Sequence, residues 1–176
     1  MNLAPIPAWL PAWMFHFSQW MDQTPFGKYM RESFWSFPIV ETLHIFGIVF
    51  LLSSTFLLDL RLFGIGPMRD EPVSKLARWV WPWVVAGFII QTVSGLLMFS
   101  AEATRSALNY LFWIKLFLIL VVGINALVFH KTVYKNVEQW NDDRVAPMSA
   151  RIYGVVSISL WAVIIGLGRW FSFHLT

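Results

Sequence analysis

Four long apolar stretches constrain the fold of this chain more than any other feature. They run over about residues 37–63, 79–101, 110–130 and 152–173. Each supplies the ~20 apolar residues that a helix needs to cross a bilayer. The apolar runs are continuous, whereas strands of a membrane barrel alternate between apolar and polar residues. The sequence therefore predicts an all-α integral membrane protein, with a four-helix transmembrane bundle over residues 36–176.

The composition supports a membrane protein and excludes several kinds of site. Hydrophobic residues make up 57% of the chain and charged residues only 13%, against about 25% charged residues in soluble domains. The chain has no cysteine, which excludes disulfides, thiolate metal sites, iron–sulfur clusters and thioether-attached haem. The net charge is +3, and the basic residues lie in loops. We therefore expect a lipid bilayer, and no nucleic acid, as a partner.

The first 35 residues differ from the rest because they mix aromatic residues with prolines. This segment is too broken to span a membrane. Tryptophan prefers the membrane–water interface, so the pattern predicts a short amphipathic helix lying along that interface. We expect the chain to turn at Pro25 and Gly27 before the first span.

The basic residues of the loops predict an orientation. The connections after the first and third spans carry more lysine and arginine than the opposite side of the bundle. The basic residues of these two connections are Arg61, Arg69, Lys75, Arg78, Lys131, Lys135, Arg144 and Arg151. The opposite side has Lys28, Arg31 and Arg105. The positive-inside rule then places both connections in the cytoplasm and both termini in the periplasm.

Ionisable groups inside the spans point to a functional layer. Glu41 and His44 are three residues apart in the first span, a spacing that puts both on one helix face. Groups of this kind are costly at membrane depth unless they are paired or face the protein interior. With alternating helix directions, several polar residues reach a similar depth in the outer leaflet. The residues of this layer are Glu41, His44, Met98, Lys115, Arg169 and His174.

The second span carries small and mildly polar residues at spacings of three and four. These residues are Gly87, Gln91, Ser94, Gly95 and Met98. Such a face has two interpretations. Small residues allow helices to pack closely, or the missing side-chain volume makes room for a flat cofactor.

A b-type haem in the outer leaflet is the first functional hypothesis. Imidazole is a common haem ligand, with His or Met as the second ligand. His44 is the first candidate, and the candidates for the second ligand are His174, Met98 and His16. Arg169 and Lys115 would meet the propionates, since arginine recognises carboxylates with a fixed fork, and Glu41 would orient His44. The protein would then be a redox subunit that transfers electrons within a larger complex.

Three alternatives remain open. A metal site could replace the haem, since imidazole and thioether ligands suit copper. Copper or another transition ion could be held by His44, Glu41, His174 and Met98. A quinone headgroup could hydrogen-bond to His44, with Glu41 taking the proton. The chain could also be a structural or assembly subunit without a cofactor, which contacts other membrane or periplasmic subunits or forms a homo-oligomer. No motif of nucleophilic catalysis is present, so an electron-transfer or non-catalytic subunit is favoured over an independent enzyme.

A second polar group lies at the opposite end of the first span. Asp59 and Arg61 occur in the run Leu-Asp-Leu-Arg-Leu-Phe-Gly, and His130 ends the third span. Because ionisable groups in membranes usually pair with one another, we expect Asp59 to form a structural pair with a nearby arginine or with His130.

Several runs carry a resemblance to a known family. They are Glu-Thr-Leu-His-Ile-Phe-Gly, Leu-Asp-Leu-Arg-Leu-Phe-Gly, Trp-Pro-Trp, Asn-Ala-Leu-Val-Phe-His and Gly-Arg-Trp. Over roughly residues 34–173 the chain resembles a family of uncharacterised bacterial four-span inner-membrane proteins. The resemblance implies the fold and the bacterial inner membrane, and no chemistry. The chain is more loosely similar to small b-type cytochromes and to copper-resistance membrane proteins, which are helical bundles with inward-facing histidines.

Overall fold

A computed structural model describes residues 7–173, with side chains described for residues 7–170. The described chain is helical. Its α-helices are α1 (Ala12–Gln23), α2 (Pro25–Glu32), α3 (Ser36–Leu62), α4 (Val73–Ala101), α5 (Ala103–Leu108), α6 (Tyr110–Thr132) and α7 (Met148–Phe173). A short 3-10 helix over Tyr134–Gln139 follows α6.

Within the described residues, four helices are long and apolar enough to cross a membrane: α3, α4, α6 and α7. This confirms the predicted four-helix membrane architecture and implies a lipid bilayer around the bundle. Helix α4 begins at Val73 and α7 at Met148, earlier than the apolar pattern predicts. Helix α4 begins early because Pro72 precedes it and the Ser74 amide donates to Asn141 Oδ1 of a distant loop at 2.8 Å. The helix therefore starts in the polar loop, before its apolar part.

The four spans form two hairpins. Helix α3 packs along α4, and α6 packs along α7. The hairpins meet mainly through α3 and α7. Near one end of this seam, a Cβ built on Gly154 would lie 3.3 Å from the Phe63 ring and 3.7 Å from Asp59 Oδ1. The seam is therefore close there, whereas the two hairpins contact each other less extensively than their own helices do.

Helices α1, α2 and α5 cover one end of the bundle, which we call the cap end. The Asp22 carboxylate accepts hydrogen bonds from the amides of Ala103 (2.8 Å) and Thr104 (3.1 Å) at the start of α5. Arg31 Nη1 donates to the Ala101 carbonyl at 3.2 Å. The N-terminal segment thus has two helices rather than the single short helix predicted. The chain turns between Thr24 and Pro25, and Gly27 lies inside α2.

The opposite end, which we call the loop end, is held together by Arg61. Its side chain is 1% exposed and donates to four backbone carbonyls, those of Glu71, Asn141, Asp143 and Arg144. A buried guanidinium has five N–H donors to satisfy, and carbonyls from two loops provide the acceptors. Arg61 therefore fastens the loop after α3 to the loop before α7.

The end of α3 has the geometry of a Schellman motif. The Gly64 amide donates to the Arg61 carbonyl and the Ile65 amide to the Leu60 carbonyl, which satisfies carbonyls that a helix end otherwise leaves unpaired. Gly64 has φ of 69°, a conformation that glycine adopts at little cost. This turn aims the loop so that the Ala146 amide can donate to Leu62 O at 3.1 Å.

Candidate functional site

His44 joins α3 to α4 through both of its ring nitrogens. His44 Nδ1 lies 2.8 Å from Ser94 Oγ, and His44 Nε2 lies 2.7 Å from Gln91 Nε2. The Ser94 hydroxyl donates to the Ile90 carbonyl at 2.5 Å, so Ser94 Oγ accepts from His44 Nδ1–H. His44 Nε2 then accepts from the Gln91 amide. This assignment, inferred from the hydrogen-bond network, describes a neutral imidazole with its proton on Nδ1.

Glycines bring α3 and α4 close enough for these bonds. A Cβ built on Gly87 would lie 2.6 Å from the Leu51 nitrogen, so the two backbones are in contact at that level. A Cβ on Gly95 would lie 3.4 Å from His44 Cε1. Of the two interpretations of the small face of α4, the structure supports close helix packing. The backbone of α3 and the His44 ring fill the space that a flat cofactor would need.

Lys115 reaches the same layer from the second hairpin. It is near enough to His44 for an electrostatic interaction, and its Nζ lies 3.7 Å from a Cβ built on Gly168 of α7. Lys115 forms no ion pair with a carboxylate among the described side chains. Lys115 therefore lies within electrostatic range of His44, toward the cap end of the seam between the hairpins.

Glu41 and Met98, two other residues of the predicted layer, have surroundings of their own away from His44. Glu41 is exposed on the surface of α3, one turn nearer the cap end. Met98 packs into an apolar cluster with Met30 of α2. Arg169 is exposed beside Gly168 and makes contacts of its own. His174 lies outside the described residues, so its position relative to His44 stays a prediction.

The arrangement around His44 does not fit a haem in this conformation. An axial ligand needs a nitrogen with a free lone pair facing a flat cavity. Here Nδ1 carries the proton, and the Nε2 lone pair accepts from Gln91. Among the described residues, no group of three or more His, Asp or Glu side chains is placed to hold a metal ion. Haem or copper at His44 stays a prediction, and it requires the ring to leave Gln91.

A second candidate site is a groove between α3 and α7. It has a volume of about 440 Å³ and is open on one side. Its walls are mostly apolar, with Ile48, Leu52 and Phe56 from α3 and Ile158, Ala162 and Ile165 from α7. Three polar side chains also line the groove: Ser53, whose hydroxyl donates to the Val49 carbonyl within α3, Asp59 and Trp161. The groove therefore extends along the membrane-spanning part of the seam.

Two of the polar side chains in the groove, Asp59 and Trp161, each leave a buried atom without a hydrogen-bond partner. These atoms are Asp59 Oδ2 and Trp161 Nε1. Asp59 is only 8% exposed, and Ser157 of α7 lies beside its carboxyl group. Buried polar groups are almost always paired, so two unpaired atoms in one groove are a functional signal that the sequence analysis missed. The periodicity of α7 gave no indication that Trp161 would face α3.

The predicted pairing of Asp59 with arginine or His130 is wrong. The nearest arginine in sequence, Arg61, is turned toward the loop carbonyls. The His130 ring stacks on Tyr134, with ring centroids 4.9 Å apart. An i, i+2 spacing puts two side chains on different sides of a helix, which explains why Asp59 faces α7 while Arg61 faces the loops.

Comparison with known proteins gives a family but no activity. No curated protein and no solved structure shows significant similarity to the chain. One family model matches residues 17–174, which include both hairpins and most of the cap. The chain therefore belongs to a family of unknown function, DUF6644.

Proposed function

We propose that this protein is a membrane subunit that binds a quinone in the groove between its two hairpins. The groove, with its unpaired Asp59 Oδ2 and Trp161 Nε1, is the observation that supports the proposal. Its volume of about 440 Å³ falls in the range of small-molecule sites, roughly 300–1,000 Å³. Such sites are mostly apolar with a few polar groups that orient the ligand.

A quinone matches the groove in shape and chemistry. Its hydrocarbon tail can lie along apolar walls such as Leu52 and Ile165, and its ring oxygens can accept a hydrogen bond from Trp161 Nε1–H. Among the chemistries that the sequence suggested, this one requires no movement of His44. The site differs from the one predicted, because the headgroup is assigned to the groove instead of the His44 layer.

Photoaffinity labelling tests this proposal. The full-length protein, reconstituted in lipid nanodiscs, is irradiated with a quinone that carries an azido group on its ring, and labelled peptides are identified by mass spectrometry. We expect labelling on the groove walls, in residues 48–59 and 158–165. Excess unlabelled quinone should suppress this labelling, because a groove of fixed volume holds one headgroup.

Two tryptophan substitutions provide the matched comparison. Leu52→Trp fills the groove and should abolish the labelling. Leu127→Trp adds the same side chain to the surface of α6, where Leu127 is 61% exposed, and should leave it unchanged. Labelling that spreads evenly over the lipid-facing helices, or that persists in Leu52→Trp, would contradict the proposal.

Haem at His44 is a second candidate, favoured by one observation. His44 and Lys115 come from different hairpins and meet at one depth, as a haem ligand and a propionate partner would. The visible spectrum of the purified protein, oxidised and then reduced with dithionite, decides between the two. A Soret band that His44→Ala removes and His130→Ala keeps would replace the quinone proposal with a b-type haem. A spectrum without a Soret band, from cells with adequate haem, would remove the haem hypothesis.

The basic loops support an orientation for the site. We place the loop end in the cytoplasm and the cap end in the periplasm of a bacterial inner membrane, because lysine and arginine concentrate at the loop end. A quinone carries electrons between complexes, so this assignment also makes a larger electron-transfer complex the natural partner. Large apolar side chains exposed along the spans would face lipid or such partner subunits.

A further inference from the structure

Asp59 Oδ2, in the loop-end part of the groove, has no hydrogen-bond donor among the described residues. Ser157 of α7 lies beside the Asp59 carboxyl group. Within the described residues the nearby cation, Arg61, is occupied by backbone carbonyls. The Ser53 hydroxyl is likewise bonded to the Val49 carbonyl. As a carboxylate, Asp59 would therefore accept at Oδ2 from a donor outside the described side chains.

The position of Asp59 suits the head of an amphipathic molecule. Asp59 lies three residues before the end of α3 at Leu62, about 4.5 Å along the helix axis. From Asp59 the groove continues to Ile48, a distance of roughly 16 Å at the rise of an α-helix. A polar head at Asp59 would thus lie near the membrane surface at the loop end, with its tail along the groove toward the cap end.

The chemistry of the two unpaired atoms specifies what the head must carry. With Asp59 ionised, its Oδ2 only accepts and needs a donor, while Trp161 Nε1 needs an acceptor. A hydroxyl group provides both, whereas a quinone carbonyl or an ether oxygen only accepts. A ligand without a donor leaves Asp59 Oδ2 buried and unpaired, and unmade hydrogen bonds of this kind are costly.

We infer that the groove is selective for a head that bears a hydroxyl, so that it binds the reduced quinol form in preference to the quinone. This inference rests on the proposed function. Asp59 acts as the acceptor that distinguishes the two forms, and Trp161 donates to either of them. The groove binds the quinol with both of its hydroxyl protons in place. Binding involves no change in the redox state of the protein.

Competition between two matched compounds tests the selectivity. An alkyl hydroquinone and its dimethyl ether share the same ring and chain, but the ether has no donor. Each is titrated anaerobically against the azidoquinone label on the full-length protein in nanodiscs. We expect the hydroquinone to compete about tenfold more strongly than the ether, the ratio that one differential hydrogen bond of ordinary strength gives.

Variants separate this inference from the proposed function. Asp59→Leu should make the two compounds compete equally, while Trp161→Phe should weaken both and keep their ratio. Equal competition in the wild-type protein would overturn the selectivity and leave quinone binding intact. Failure of both compounds to compete, with labelling insensitive to Leu52→Trp, would overturn both proposals. If Asp59→Leu does not fold, the comparison of the two compounds on the wild-type protein still decides the question.

Discussion

Gly87→Ala tests the packing that places His44 against α4. A Cβ at Gly87 would lie 2.6 Å from the Leu51 nitrogen and 3.0 Å from the Gly47 carbonyl oxygen. Both atoms belong to the backbone of α3 and cannot rotate away. An ordinary contact begins at 3.4 Å, so the two helices must separate by about 0.8 Å at this level, beyond what well-packed interiors absorb freely.

The separation has two energetic consequences. Overpacking of this kind costs about 1–3 kcal/mol. The hydrogen bonds of His44 to Gln91 and Ser94, now 2.7 and 2.8 Å, would lengthen to about 3.5 Å and lose most of their strength. Interhelical hydrogen bonds in membranes contribute about 0.6 kcal/mol each on average. Alanine also gains about 0.5–1 kcal/mol over glycine in a helix, so the expected net loss is about 1–3 kcal/mol.

The assay is reversible unfolding in mixed micelles, followed by far-UV circular dichroism as the fraction of denaturing detergent rises. Gly123→Ala and Gly166→Ala are matched controls, because a Cβ at either position would have no neighbour within 4 Å. We expect both controls to be as stable as the wild type or up to about 1 kcal/mol more stable. A Gly87→Ala variant as stable as these controls would refute the close approach of α3 and α4.

Three further predictions use the same unfolding assay or its hydrogen-exchange counterpart. Arg61→Gln should lower the free energy of unfolding by about 2–4 kcal/mol, because it removes charge-assisted bonds to buried carbonyls. The control Arg69→Gln, on the surface, should change the free energy of unfolding by under about 0.5 kcal/mol. Equal effects of the two substitutions would contradict the role given to Arg61. Asp22→Ala should cost about 0.5–2 kcal/mol, as for the loss of a helix cap, and should speed hydrogen exchange at the first amides of α5; unchanged exchange would argue against the clamp. A double-mutant cycle of His44→Ala with Gln91→Ala should give a coupling of about 0.6–1.7 kcal/mol, and additivity would show that the two side chains do not interact.

Much of the architecture could be predicted from the sequence because a bilayer leaves few options. Backbone groups in lipid must be satisfied within the segment, so four apolar stretches of sufficient length predict four helices. The same pattern did not give the start of α4, which depends on Pro72 and on a hydrogen bond between Ser74 and Asn141. That bond joins residues far apart in the chain, so no local pattern could reveal it.

The functional layer was predictable only in part. Helix direction and residue counting predicted His44 and Lys115 at one depth, and the two side chains interact electrostatically in the structure. Neither helix direction nor residue counting gives the direction in which a side chain points around its helix. Glu41 and Met98 were therefore predicted in the same layer as His44. Membrane helices are apolar on all sides, so the hydrophobic pattern that orients a helix in a soluble protein is too weak here to resolve rotation.

The sequence by itself determined that this chain spans a membrane four times, because transfer of apolar side chains into lipid depends on composition and length alone. Only the tertiary structure decided which polar atoms meet a partner. Close backbone packing at Gly87 gave both nitrogens of His44 partners on α4, although the Gln91 Oε1 atom of one partner stays unpaired. The seam between α3 and α7 left Asp59 Oδ2 and Trp161 Nε1 unpaired in a groove. Hydrogen bonds are short and directional, so their pairing follows from the positions of the helices and cannot be read along the chain.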